Sequence, residues 1–206
     1  MWIVYFAMGL FVLLTRERTL LDPNSFLRQR YSGFGLLMFA HAIPGAFALV
    51  LGVFQFSSRL RQRYLQVHRY MGRIYVGGAF IAAALGPVVA HFAPLPNGML
   101  FSSMHAFGWI ASTATALYCV RIGNIQQHRE WMMRSYPFAM VFVVARVFNA
   151  IPAIQAGGPV AIAGTVWTVL LISFFLPSFL IEWQKLAANR RKINLRAEVR
   201  SMATAD

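Results

Sequence analysis

No charged residue occurs between Arg30 and Arg59, between Arg73 and Arg121, or between Arg146 and Glu182. A helix needs roughly 20 apolar residues to cross the hydrocarbon of a bilayer, and these intervals hold several runs of that length. With 58% of its residues hydrophobic and 12% charged, the chain is far from the mix of a soluble globular domain. It reads as a multi-pass membrane protein. Segments of about ten residues that alternate polar and apolar, the mark of an outer-membrane barrel, are absent, so the expected fold is an all-α polytopic membrane helix bundle. The single cysteine, Cys119, excludes an intrachain disulfide and any Cys-based metal cluster. The formal net charge of +13 points to topology and anionic headgroups as its cause, with no nucleic acid partner.

Taken in order, the chain predicts six spans. Residues 2–14 are apolar but short, without the basic start or the small-residue cleavage site of a signal peptide, and read as a retained first helix. A polar connection over 15–33 carries the turn signal Asp22-Pro23-Asn24. The second helix covers about 34–56, with Pro44 tolerated as a kink. A basic loop follows, and the third helix ends near residue 92. The fourth covers about 100–120, the fifth ends near 155, and the sixth covers about 160–183 after a Gly-Gly-Pro turn. The domain plan is thus 1–33, a four-helix core over 34–155, a sixth span over 156–183, and a basic tail over 184–206. That tail is expected to be an interfacial helix or a disordered end. Lys and Arg collect after the second and fourth helices and in the tail, whereas the connections after the third and fifth hold none. The positive-inside rule puts both termini in the cytoplasm and the protein in the inner (plasma) membrane.

Two parallel segments organise the core. His68-Arg-Tyr-Met-Gly-Arg-Ile-Tyr75 is echoed by His128-Arg-Glu-Trp-Met-Met-Arg-Ser-Tyr136, and His41-Ala-Ile-Pro-Gly45 by His105-Ala-Phe-Gly108. Four of the five histidines therefore fall into two hairpin-like units, which is the pattern of a duplicated core. His41 and His105 sit roughly 8–10 Å below the far ends of the second and fourth helices. His68 and His128 open the third and fifth at the Arg-rich end. Each histidine but the last heads a stripe of small residues at helical spacing, including Gly45, Gly72 and Gly108. Such stripes serve close helix packing or make room for a flat macrocycle, and the sequence supports both readings equally.

Arg146 favours the macrocycle. It reads as mid-span on the fifth helix, where a charge is costly and usually functional. No Asp or Glu falls inside any predicted span, so its counter-anion is a lipid phosphate, helix-end carbonyls or a ligand carboxylate. Haem b brings two propionates, and Arg146 lies at the depth to meet those of a haem between His41 and His105. Arg73 and Arg134 would do the same for an inner haem.

The motifs His68-Arg-x-x-Gly-Arg-x-Tyr75 and His128-Arg-x-Trp-Met-x-Arg-Ser-Tyr136 resemble a family of predicted bacterial membrane proteins, domain of unknown function 2306, over about residues 30–183. That name implies no activity. More distantly, the helix order and histidine spacing look like the cytochrome b561 group of transmembrane di-haem proteins. This resemblance implies axial haem ligation by His41 with His105 and by His68 with His128, although His68 and His128 lie at or just outside the membrane edge.

The leading functional expectation is a membrane protein that carries electrons through one or two bis-histidine haems b, a membrane oxidoreductase if it is an enzyme. Bis-imidazole ligation leaves no open coordination site, so such a centre transfers electrons without binding oxygen. Its partners would be membrane lipids and quinol or another electron donor or acceptor. The alternative is a cofactor-free transporter or accessory subunit, using Arg146 and the His-Arg motifs to hold an anionic ligand or lipid headgroups. Copper or zinc handling by His41, His91 and His105 ranks third. The six acidic residues all lie in loops or at helix ends, and no zinc-protease, phosphate-loop or dinucleotide motif is present. No catalytic residue is therefore assigned.

Overall fold

A computed structural model describes residues 35–92 and 95–203; the expected first helix over 2–14 and the connection over 15–33 lie outside them. The described residues form seven helices and no strand: α1 Gly35–Gln55, α2 Ser58–Arg63, α3 Leu65–His91, α4 Gly98–Arg121, α5 Ile125–Asn149, α6 Pro152–Ala156 and α7 Gly158–Ala203. Three stretches are long and apolar enough to cross a membrane, Gly35–Gln55, Leu65–His91 and Gly158–Asn194, with mean hydropathies of 2.1, 1.7 and 2.1. The intervening α4 and α5, 24 and 25 residues long, carry their polarity inward. Ser102, His105, Ser112 and Thr113 of α4 and Glu130 and Ser135 of α5 are all buried.

In the four-helix core, α1 packs on α3, α3 on α4 and α4 on α5, while α5 returns to touch α1. Thus α1 faces α4 across one diagonal and α3 faces α5 across the other. Helix α7 covers α5 and α4 from outside. Small residues set the α1–α3 spacing: a Cβ on Gly78 would stand 2.5 Å from the Pro44 carbonyl oxygen, and one on Gly45 3.4 Å from the Ala82 Cβ. This is small-residue helix packing of the membrane kind.

Three boundaries differ from expectation. The basic loop after α1 contains α2, capped by the Ser57 hydroxyl, which accepts from the Leu60 N–H at 3.2 Å. Helix α5 stops at Asn149 instead of running on to 155, because Ile151 precedes Pro152. The proline ring disfavours helical backbone in the residue before it, and Ile151 is extended, with φ −73 and ψ 124. The chain then restarts as α6, with Pro152 in its first turn. At the C-terminal end, Gly158 takes φ +67 at the start of α7, a left-handed conformation that glycine adopts without strain. Helix α7 then runs through the expected tail as one helix of 46 residues. Good helix formers such as Lys185, Leu186, Ala187 and Ala188 and the Glu182–Lys185 pair at 3.0 Å favour that continuation.

Candidate functional site

Three of the four core histidines donate a ring N–H to a main-chain carbonyl on the partner helix of their own hairpin. His41 Nδ1 reaches the Ala82 oxygen, His105 Nε2 the Phe138 oxygen and His128 Nδ1 the Ala116 oxygen, each at 2.8 Å. A carbonyl already serving its own helix has a second lone pair for such a bond. Polar side chains that bridge helices in this way hold membrane bundles together.

Across the two diagonals His41 is within electrostatic reach of His105, and His68 of His128. The surroundings of the pairs differ. His105, 4% exposed, is walled by Trp109, Phe138 and Phe142, with ring centroids at 5.5, 6.0 and 5.2 Å. At the Arg-rich end, His68 has a buried Nδ1 with no hydrogen-bond partner. Gln55, 9% exposed and facing Gly72 one turn along α3, likewise has an unpartnered Nε2.

Between the two pairs lies a buried polar hub. The Tyr75 and Ser135 hydroxyls are 2.7 Å apart, Thr113 Oγ1 is 2.7 Å from Ser135 Oγ, and the Trp109 indole N–H donates to Tyr75 at 3.3 Å. Tyr75, Thr113 and Ser135 are fully buried. Tyr75 and Ser135 each follow the histidine of their motif by seven residues, so corresponding positions of the two motifs meet in the core. Tyr136 donates to the Leu49 carbonyl at 3.0 Å and tethers α5 to α1. Tyr75 and Ser135 belong to the two histidine motifs, whereas Trp109, Thr113 and Gln55 lie outside them. Gln55 is the one carboxamide in the apolar run of α1.

The glycines expected to leave room for a macrocycle face side chains instead. A Cβ on Gly108 would collide with the Phe138 and Phe174 rings at 2.6 Å each, and one on Gly72 would stand 3.2 Å from Gln55 Oε1. Gly45 faces Ala82.

The arginines divide as well. Arg146 is not mid-span: because α5 ends at Asn149, it is exposed in the last helical turn, where a cation complements the helix dipole. Arg73 is exposed on α3. Arg134 is tied to α7, its Nε donating to Ser178 Oγ at 3.1 Å. Its guanidinium also lies 5.0 Å over the Trp131 ring and 3.8 Å from the buried carboxylate of Glu130. Lys185 holds that carboxylate at 2.8 Å. A cavity of about 200 Å³ opens beside Arg134, lined by Phe107, Gly108, Trp131, Phe174 and Ser178 among others; no core histidine borders it. His91, exposed at the end of α3, stacks edge-on against Phe92 at 5.1 Å. No group of three potential metal-ligating side chains occurs among the described residues.

No curated protein and no solved structure matches the chain. A family model described as "Predicted membrane protein (DUF2306)" matches residues 38–181, most of the chain and both histidine motifs, and the protein belongs to that family.

Proposed function

We propose that this protein is an integral membrane haem b protein that carries electrons, with one haem held at the Arg-rich end by His68 and His128. In this reading α4 and α5 also cross the bilayer, the core is a duplication of the α1–α3 and α4–α5 hairpins, and the Arg-rich end faces the cytoplasm. The carrying observation is the state of the two rings. They lie within electrostatic reach of each other on diagonally opposed helices. The Ala116 carbonyl fixes the Nδ1–H of His128, which leaves Nε2 as the nitrogen with a lone pair. That is the arrangement of a metal-ligating histidine oriented from behind.

The donor set at this end fits an iron porphyrin. At the far end it does not, because His105 commits Nε2 to the Phe138 carbonyl within a closed aromatic wall. His41 and His105 are therefore read as interhelical clamps. When bound, haem would supply one-electron chemistry, held by the imidazoles of His68 and His128. The chain's own contribution is orientation by the Ala116 carbonyl and rigidity from the Tyr75–Ser135–Thr113 hub. Quinol or another reductant in the membrane is the expected electron partner.

The test is a reduced-minus-oxidised spectrum with haem stoichiometry on protein produced with ample haem. Low-spin b-type bands at one haem per chain are expected, lost in His68→Ala and His128→Ala and kept in His41→Ala. A colourless wild type overturns the proposal. So does a haem that survives loss of both His68 and His128.

A further inference from the structure

At the end of the bundle where α1 passes through α2 into α3, Gln55 Nε2 and His68 Nδ1 are both buried and unpartnered, and the carboxamide sits one turn along α3 from the histidine. Gln55 is the last residue of α1, and its carboxamide lies over Gly72, where an added Cβ would be 3.2 Å from Oε1. Gly72 follows His68 by four residues, so the two stand one above the other on one face of α3. The glycine is what lets the carboxamide in. Buried polar groups are almost always hydrogen-bonded, and two adjacent exceptions call for a missing partner. A carboxamide N–H only donates, and His68 in its Nδ1–H tautomer donates beside it, so the partner that serves both is an acceptor.

The charge around the pair says what kind of acceptor. Arg61 and Arg69 lie within electrostatic reach of His68, and Arg59 and Arg63 belong to the same short helix as Arg61. The sequence has no acidic residue between Asp22 and Glu130, and Glu130 is held by Lys185 and Arg134. None of these four arginines enters an ion pair among the described residues. We propose that this corner is a binding site for a phosphate group. Gln55 Nε2 and His68 Nδ1 donate to its oxygens, and Arg61 and Arg69 supply the charge that selects an anion; guanidinium is well suited to phosphate. The group comes from a phospholipid head or from a free phosphate compound. The site stands independently of haem, since a His68 that ligates iron through Nε2 keeps Nδ1–H for the anion.

The experiment uses the full chain with two probes. In the first, the detergent-purified protein is examined by native mass spectrometry for retained phosphatidylglycerol. In the second, the protein in phosphatidylcholine nanodiscs is titrated with inorganic phosphate. Retained lipid without phosphate binding identifies a headgroup site, and saturable phosphate binding in neutral discs identifies a soluble anion. Gln55→Leu is expected to weaken whichever binding is seen by about ten-fold or more, the loss of one charge-assisted hydrogen bond. Gln55→Glu keeps the shape, places a carboxylate where the anion belongs, and is expected to abolish binding. Arg191→Gln, in the basic tail of α7, leaves it unchanged. Binding of neither probe by the wild type, or undiminished binding in Gln55→Glu, overturns the site whatever the haem content.

Discussion

The two ends of the bundle use the same side chain in opposite ways. At the far end His105 is buried among three aromatic rings with its N–H committed to the Phe138 carbonyl. At the Arg-rich end His68 is partly exposed, among arginines, with a buried nitrogen that no protein group satisfies. A hydrogen bond in a dry interior is costly to leave unmade, so an interior histidine that is satisfied and enclosed is cohesive in role. An orphaned nitrogen at a polar, positively charged end asks for a ligand. Residue type and helical phase are shared by the two ends; what separates them is whether the ring's hydrogen-bonding capacity is used up inside the protein.

That contrast makes its largest prediction at the far end. His105→Ala deletes a packed ring and an interhelical hydrogen bond, and is expected to destabilise the protein by about 3 kcal/mol, as large-to-small core changes do. Thermal unfolding in detergent measures it. A cost below about 1 kcal/mol would mean that the aromatic wall is loosely packed and that His105 is no clamp. Midway between the ends, Tyr75→Phe removes the hydroxyl that joins Ser135 to Trp109. Ser135 keeps Thr113, but the Trp109 N–H is left without its partner. About 1–2 kcal/mol is expected, and a neutral result would show that the hub adds no cohesion.

Much of this was legible beforehand, for physical reasons that stop at a definite point. Hydrophobic run length and charge placement located α1, α3 and α7, because the bilayer imposes a length on any span. The pairing of His41 with His105 and of His68 with His128 is read from depth and helix order, and the members of each pair are within electrostatic reach of each other. Arg146 was misplaced because the fifth helix was carried past Pro152; the rule that a proline unsettles the residue before it would have ended the helix in time. The glycine stripes were ambiguous from the start. Whether a small residue makes room for a ligand or for a neighbour depends on the facing helix, and Phe174 against Gly108 or Gln55 against Gly72 come from segments that no periodicity links to them. Gln55 shows the same limit: a carboxamide at the end of an apolar run looks like an ordinary boundary residue until its burial is known.

The smallest stability effect discriminates best between the two ends. Replacing a hydrogen-bonded buried group costs stability, but replacing one whose polar atom has no partner removes a desolvation penalty with no bond lost. His68 Nδ1 is such an atom, and the shape of leucine fills part of the same space. His68→Leu is therefore expected to leave the unfolding temperature of ligand-free protein unchanged or slightly raised, within about 1 kcal/mol of the wild type. The same change should remove the stabilisation that bound ligand gives, because anything that binds only the folded state adds to its stability by mass action. Comparing unfolding with and without added phosphate or haem separates the two effects. If His68→Leu costs the ligand-free protein as much as His105→Ala, the ring at the Arg-rich end is satisfied after all, and both ends of the bundle are held together in one way.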